Sequence, residues 1–208
     1  MDLINSLIKE GWLRTPRIID AFRKIKRVDF LTEELKDLSE LNEALPIGFG
    51  QTISQPLVVA FMLEELKPDT GNKIIDIGSG SGWTTALLAE IVGLQGKVIS
   101  MELVPELREF GEKNVSKYSF IDKGIVEFIC GDGSRGYEKE APFDRVLVSA
   151  AANRVFDSWK QQVRIGGRIV APINSSIVTL KKRQEADGKI IFDEKDHPGF
   201  VFVPLITK

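Results

Sequence analysis

The sequence has a single cysteine, Cys130, and a single histidine, His197, among 208 residues. One cysteine excludes an internal disulfide and a cysteine-built zinc site, and one histidine excludes a His-rich metal centre, so no metal is expected. No apolar run approaches the roughly 18 uncharged residues of a membrane span. The opening "MDLINSLIKEGWLRTPRIIDAF" carries charges throughout and lacks the unbroken apolar segment of a secretory signal. A cytoplasmic chain with no membrane partner is the expectation. Neither sign of charge is in excess: 28 Lys and Arg face 30 Asp and Glu, a net charge of −2. There is no bulk pull toward nucleic acid or an anionic bilayer, and no nucleic-acid partner is expected. What is present is 43% hydrophobic and 28% charged residues, the balance of an ordinary globular chain long enough for one full core.

Apolar side chains recur at helical spacing over 3–11 and 16–26, as in Leu3 and Leu7, then Ile18, Ile19 and Phe22. "TPR" at 15–17 predicts a helix start with Thr15 as cap and Pro16 in the first turn. The surrounding Arg14, Arg17, Arg23, Lys24, Lys26 and Arg27 are expected on a solvated helix face, a local anionic contact being the alternative. "LPIGFGQTISQP" (45–56) is too rich in Gly and Pro for a helix and leads into the helix "PLVVAFMLEELK". Strands and helices then alternate. "KIIDIG", "KVISMEL", "GIVEFICGD", "FDRVLVSAAA" and "GGRIVAPI" read as strands, and "WTTALLAEIVG", "PELREFGEKNVSKY" and a segment near 155–163 as helices. This pattern implies parallel βαβ units with right-handed crossovers, covered on both faces. Beyond 174, "SIVTLKKRQ", "KIIFDE" and "GFVFVPLI" are β-rich, and Asp187-Gly188 offers a hairpin turn. The expected architecture is α/β: a doubly wound, mostly parallel sheet finished by antiparallel strands. One domain is expected, comprising N-terminal helices and an active-site loop (1–56), a cofactor-binding core (57–173) and a β-rich extension (174–208).

"IIDIGSGSGW" (74–83) places Gly78, Gly80 and Gly82 at alternate positions after an apolar strand. A dinucleotide fingerprint, G-x-G-x-x-G, would need its third glycine where Trp83 stands. Asp76, at the mouth of the strand, would repel a pyrophosphate in this turn by ~4 kcal/mol for unit charges near 4 Å in a partly buried site. It would attract a ligand bearing an ammonium and a sulfonium, and S-adenosylmethionine is such a cofactor. The glycines allow close backbone approach, and amides at the helix start can meet its carboxylate. Glu102 ends "KVISME", about 20 residues past Gly82, where an acid accepts from both ribose hydroxyls, a role shared with NAD sites. Asp132 in "CGDG" follows the third strand, where it could accept from the adenine amino group. Singly, each acid is an ordinary turn residue. Together, at three strand ends beside a glycine triplet, they favour S-adenosylmethionine.

The chain resembles the protein-L-isoaspartate O-methyltransferases on "LPIGFGQTISQP" (45–56), "IIDIGSGSG" (74–82), "GDGSRGY" (131–137), "APFDRVLVSAAA" (141–152), "GGRIVAPI" (166–173) and "FVPL" (202–205). The likeness covers nearly the full length. Its glycine motif is shared by many methyltransferases, whereas "GQTISQP" is much more specific. The resemblance implies the methyltransferase variant of the doubly wound sheet. It also implies methyl transfer from S-adenosylmethionine to the free α-carboxylate of an L-isoaspartyl residue in damaged peptides and proteins. The ester then closes to a succinimide that reopens partly to normal aspartate, which repairs the protein. By the same resemblance Ser54 is the active-site serine, and Gln51, Thr52, Ile53, Ser54 and Val59 border the cofactor. Asp76, Glu102, Asp132 and Gly133 are further contacts, and Gly78, Gly80, Gly82 and Leu103 complete the cofactor set.

A carboxylate acceptor with a pKa near 4 is already ionised at neutral pH and needs no general base. Transfer needs alignment and removal of water, with Ser54 donating an orienting hydrogen bond. "TISQP" before a helix is also an N-cap pattern, with Ser54 capping and Pro56 in the first turn, and the two roles are compatible. Three departures from the family stand out: Phe49 replaces a common histidine, "RVDFLTEE" lacks another, and Asn153 replaces the proline that usually follows "AAA". Phe49 and Asn153 bear on substrate range. His197 in "DHPG" has no motif around it and is expected in a loop. The rival readings are a methyltransferase with another acceptor such as RNA, a non-catalytic cofactor-binding homologue, and an NAD-dependent enzyme. The first rests only on the basic run at 14–27; Asp76 and Trp83 oppose the last.

Overall fold

The computed structural model describes residues 2–208. Helices α1 (Leu3–Lys9) and α2 (Pro16–Lys24) lead through two 3-10 turns, Arg27–Phe30 and Glu33–Leu38, into a hairpin of β1 (Leu45–Gly48) and β2 (Gln51–Ile53). Next come α3 (Pro56–Leu66), β3 (Lys73–Ile77), α4 (Trp83–Val92), β4 (Lys97–Glu102), α5 (Pro105–Ser116) and β5 (Val126–Cys130). The chain finishes with β6 (Phe143–Val148), α6 (Asp157–Gln162), β7 (Val163–Ile173), β8 (Ser176–Gln184) and β9 (Ile190–Pro198). One sheet runs in the order β5-β4-β3-β6-β7-β8-β9. Its pairs from β5 to β7 are parallel, and β7-β8 and β8-β9 are antiparallel. The doubly wound sheet with an antiparallel finish is therefore as the sequence led us to expect.

Strand alternation explains the layers. Ile74 and Val98 enter a core shared with α3, α4 and the N-terminal helices, while Ile75, Ile77 and Ile99 enter a second core with Trp159 of α6. A strand that is apolar on both faces can only be stable when helices cover both. Winding reverses at β3: β4 and β5 lie to one side, and the chain then returns to set down β6 on the other. A crevice opens at the carboxyl end of such a reversal, and this one frames the candidate site.

Local chemistry departs from the sequence reading in several places. α1 and α2 stop at Lys9 and Lys24, before 11 and 26. Thr15 occupies the N-cap position of α2 but makes no side-chain cap bond. Its hydroxyl instead donates to Glu64 Oε2 of α3 at 2.7 Å, and the amides of Arg14 and Thr15 each donate to Glu64 Oε1 at 2.8 Å. A buried acid on one helix thus holds the start of another, and its charge suits a helix N-terminus. Ser54 is not a cap either. Gln55 is the N-cap of α3, and the amide of Leu57 is satisfied by Asn42 Oδ1 at 2.9 Å. His197 lies in β9 opposite Ile177, not in a loop. "GFVFVPLI" contributes one parallel bridge, Ala151 with Pro204, and no strand. Among the basic residues at 14–27, Arg17 pairs with Asp69 and Lys24 with Glu90, but Arg27 is buried and lies off the helix. No helix among the described residues is long and apolar enough to cross a membrane.

Candidate active site

Four strand ends and two flanking segments enclose the crevice. Ile77, Gly78 and Gly80 follow β3, Met101 to Val104 end β4, Gly131 and Gly133 follow β5, and Ser149 and Ala150 follow β6. Gln51 and Thr52 of β2 form one wall, and the extended segment 203–206 lies across the opening. The crevice is partly open to solvent. A second cavity adjoins it, lined by Ala44, Thr52, Ser54, Gln55, Val58, Ser149 and residues 201–203. Thr52, Ser149 and Val203 line both, so the two cavities meet at these three residues.

The glycine turn is left-handed at Gly78, φ +79°, which a residue with a Cβ adopts only under strain. The Gly80 amide donates to Glu102 Oε2 at 2.9 Å, tying the turn to the end of β4. Glu102 Oε1 accepts from the amides of Leu103 and Val104 at 2.8 and 3.1 Å. Glu102 is thereby fixed at the crevice wall, with one lone-pair site on Oε2 left over for a ligand's hydroxyl. Gly82 has a different task. A Cβ there would lie 2.7 Å from the Gly111 carbonyl oxygen, so this glycine admits the close packing of α4 on α5 and does not line the crevice.

Asp76 also departs from expectation. The sequence suggested a carboxylate at the strand mouth facing the ligand, but the side chain is fully buried and lines neither cavity. Alternation puts it on the same face as Ile74, beneath α4, while Ile77 takes the crevice side. Thr85 of α4 donates to Oδ2 at 2.6 Å, and the Ser100 hydroxyl lies 3.1 Å from Thr85 Oγ1. Oδ1 has no hydrogen-bond partner. Burial pushes the Asp76 carboxyl up to about 6; the Thr85 bond opposes the shift, the Glu102 charge adds to it, and Ser149 nearby favours the charged form without completing a bond. At neutral pH the group is thus mostly ionised, with one oxygen unsatisfied. Its field reaches the crevice even though its surface does not. A positive charge in the crevice is favoured by this carboxylate and an anion opposed, the more so the drier the site.

Asp132 sits between Gly131 and Gly133 but does not itself line the crevice. Its Oδ1 accepts from the Ser134 amide and its Oδ2 from the Lys208 amide, both at 2.9 Å. Partial burial works against its charge, yet these bonds and the Arg135 guanidinium hold the carboxyl below the usual range. The site expected to meet an adenine amino group is thus partly taken by the chain's own backbone. Ile53 and Val59 point into the core and line neither cavity; Val58 lines the second one instead. Gln51, Thr52, Gly78, Gly80, Glu102, Leu103 and Gly133 line the first cavity, and Ser54 lines the second. Phe49 is exposed at the hairpin tip with φ +53°, and Asn153 lines a separate surface hollow near Leu205.

Sequence reasoning gave no site role to Ser149 or to residues 203–206. That segment is held by backbone bonds: the Ala151 amide donates to the Val203 oxygen at 2.8 Å, and the Leu205 amide to the Ala151 oxygen at 2.7 Å. The "VSAAA" and "FVPL" strings carried the signal, but only their meeting in space shows what they enclose.

Comparison with known proteins agrees with this geometry. The sequence model of the family described as Protein-L-isoaspartate(D-aspartate) O-methyltransferase (PCMT) matches residues 1–208. A protein-L-isoaspartate O-methyltransferase of Methanopyrus kandleri is 40% identical over 98% of this chain and 89% of its own length. A solved protein-L-isoaspartate O-methyltransferase superposes with a TM-score of 0.83 at 28% identity, over 97% of this chain and 64% of that longer one. A Plasmodium falciparum structure, a putative protein-L-isoaspartate O-methyltransferase in complex with S-adenosyl-L-homocysteine, shares the fold with a TM-score of 0.85 at 22% identity, over 99% of this chain and 97% of that one. The chain belongs to the protein-L-isoaspartate(D-aspartate) O-methyltransferase family.

Proposed function

We propose that the chain methylates the free α-carboxylate of L-isoaspartyl residues in damaged peptides and proteins, with S-adenosylmethionine as the methyl donor. The observation that carries this reading is the joint between the two cavities. One is built around a glycine turn that follows a buried, partly unsatisfied carboxylate, and the other is lined by Ser54. Bound in the first cavity, the cofactor supplies an electrophilic methyl group on a positively charged sulfur. Glu102 would hold its ribose, the amides around Gly78 and Gly80 its amino-acid end, and Asp76 would favour its positive charge. The orphaned Asp76 oxygen fits a cationic ligand and opposes a phosphate-bearing one.

The protein's own work is positional. The acceptor carboxylate arrives ionised, so no residue has to remove a proton. Ser54 donates a hydrogen bond that turns one carboxylate oxygen toward the joint. The segment 203–206 and the β1–β2 hairpin close over the crevice and keep water from competing for the methyl group. Alignment of this kind is worth several orders of magnitude in rate. The second cavity is lined by Ala44, Val58 and Val201 as well as polar groups, which suits an extended, locally unfolded peptide more than a polyanion. No basic wall surrounds it, so an RNA acceptor finds no support there.

Incubation with methyl-labelled S-adenosylmethionine and two peptides differing only in isoaspartyl or aspartyl linkage tests the proposal. Base-labile methyl ester is expected on the isoaspartyl peptide alone. Equal labelling of both peptides, or of neither, would overturn the assigned acceptor.

A further inference from the structure

Arg27 is 6% exposed, yet among the described residues only the charge of Glu40 favours its guanidinium. Its bonds go to backbone instead. Nη1 donates to the carbonyl oxygens of Ser39 and Leu41 at 3.2 and 3.0 Å, and Nη2 to those of Glu43 and Ser54 at 2.7 and 3.3 Å. The guanidinium carbon also lies 5.4 Å from the centre of the Trp83 ring, the first residue of α4 after the glycine turn. Three parts of the molecule therefore converge on one planar group: segment 39–43, the Ser54 backbone and the start of α4. A rigid fork of donors can hold several carbonyls at fixed mutual angles, which an ammonium cannot do.

Segment 39–43 in turn reaches the other side of Ser54. The Gln55 side-chain Nε2 donates to the Asn42 backbone carbonyl at 2.8 Å, and Asn42 Oδ1 accepts from the Leu57 backbone amide in the first turn of α3. Ser54 is thus gripped by its own carbonyl from Arg27, and through Gln55 and Leu57 from a loop that Arg27 also holds. Burying an arginine costs more than burying a hydrocarbon of similar size, so a purely structural filler would not need the charge. Burial lowers its pKa to about 10, which leaves it charged at neutral pH.

We propose that Arg27 is a positioning residue for methyl transfer: it fixes the Ser54 backbone against segment 39–43 and, through Trp83, sets both in register with the glycine turn. This rests on the reading of Ser54 as the acceptor-side residue, while the geometry of the clamp stands independently. A misplacement of about 1 Å at a reacting group can cost roughly 100-fold in rate.

The test uses the full chain with Arg27→Gln and Arg27→Lys, assayed well below their unfolding midpoints. Amide exchange should quicken at 39–43 and 53–57 in Arg27→Gln, and kcat on an isoaspartyl peptide should fall roughly 10- to 100-fold. The S-adenosylmethionine Kd should change by less than about threefold. Arg27→Lys, which keeps the charge over Trp83 but loses the fork, should lie between, and it carries the test should Arg27→Gln fail to fold. A folded variant with wild-type kcat and unchanged exchange at 53–57 would overturn the proposal. So would a variant that merely unfolds at lower denaturant with kcat intact. Should the native protein leave isoaspartyl peptides unmethylated, the assigned reaction fails, and the exchange pattern alone still decides whether Arg27 is the clamp.

Discussion

Asp76→Asn is expected to weaken S-adenosylmethionine binding at pH 8 by roughly 10- to 100-fold while leaving the fold as stable as before, or more so. The two effects have opposite signs because one charge causes both. In the free protein the buried carboxylate is costly, which is why its pKa stands at about 6. Below the ordinary carboxylate range the folded and unfolded states are both protonated and no cost arises. As pH rises from about 4 to about 6 the native state holds the extra proton, so stability falls; above about 6 the whole cost, about 3 kcal/mol, is present. Asparagine keeps an oxygen to accept from Thr85 and removes that cost. It also removes the field that favours a cation in the crevice. Denaturant midpoints from pH 4 to 8 should therefore fall in the wild type relative to the variant, and calorimetry should show the lost affinity. Cofactor binding to the wild type near pH 6 should also release protons, seen as a dependence of the heat on the buffer's ionisation enthalpy. Unchanged affinity would remove Asp76 from any part in cofactor selection.

Ser54→Ala has the second large effect, and it should appear in turnover alone. Loss of one orienting donor to a charged acceptor is worth about 1.5–3 kcal/mol, or roughly 10- to 100-fold in kcat. Cofactor affinity should stay within about twofold. Stability should hold because Ser54 is not the cap of α3: Gln55 occupies that position and Asn42 satisfies the Leu57 amide. An N-cap loss would instead cost ~1 kcal/mol and leave turnover untouched. Full activity with a lowered unfolding midpoint would show that Ser54 supports the helix and not the reaction.

The contrast between these residues shows how far one-dimensional patterns reach. Apolar runs of KIIDI and KVISM type, broken by glycine turns and helical spacings, determine a doubly wound sheet, and its strand ends gather Gly78, Gly80, Glu102 and Gly133 in one crevice. Position along the strand puts Asp76 at the mouth, but the alternation of Ile74, Ile75, Asp76 and Ile77 turns its side chain to the Ile74 face, away from the crevice. Thr15 and Ser54 matched cap patterns, but distant groups, Glu64 and Asn42, supplied what local side chains were expected to supply. Arg27 looked like one more exposed base because its partners are carbonyls as far off as Ser39 and Ser54, and a carbonyl leaves no mark in a sequence. The covering segment 203–206 was hidden for a similar reason: two backbone bonds to Ala151 hold it, with no regular strand.

At the centre stands the claim that the protein aligns an already ionised carboxylate with a cationic methyl donor and moves no proton. The pH dependence of single-turnover methyl transfer to an isoaspartyl peptide, at saturating S-adenosylmethionine, measures this directly. We expect a flat rate from about pH 6.5 to 9, since an acceptor of pKa near 4 does not titrate there. A rate that climbs tenfold per pH unit across that range would mean that a general base takes part, and would contradict it.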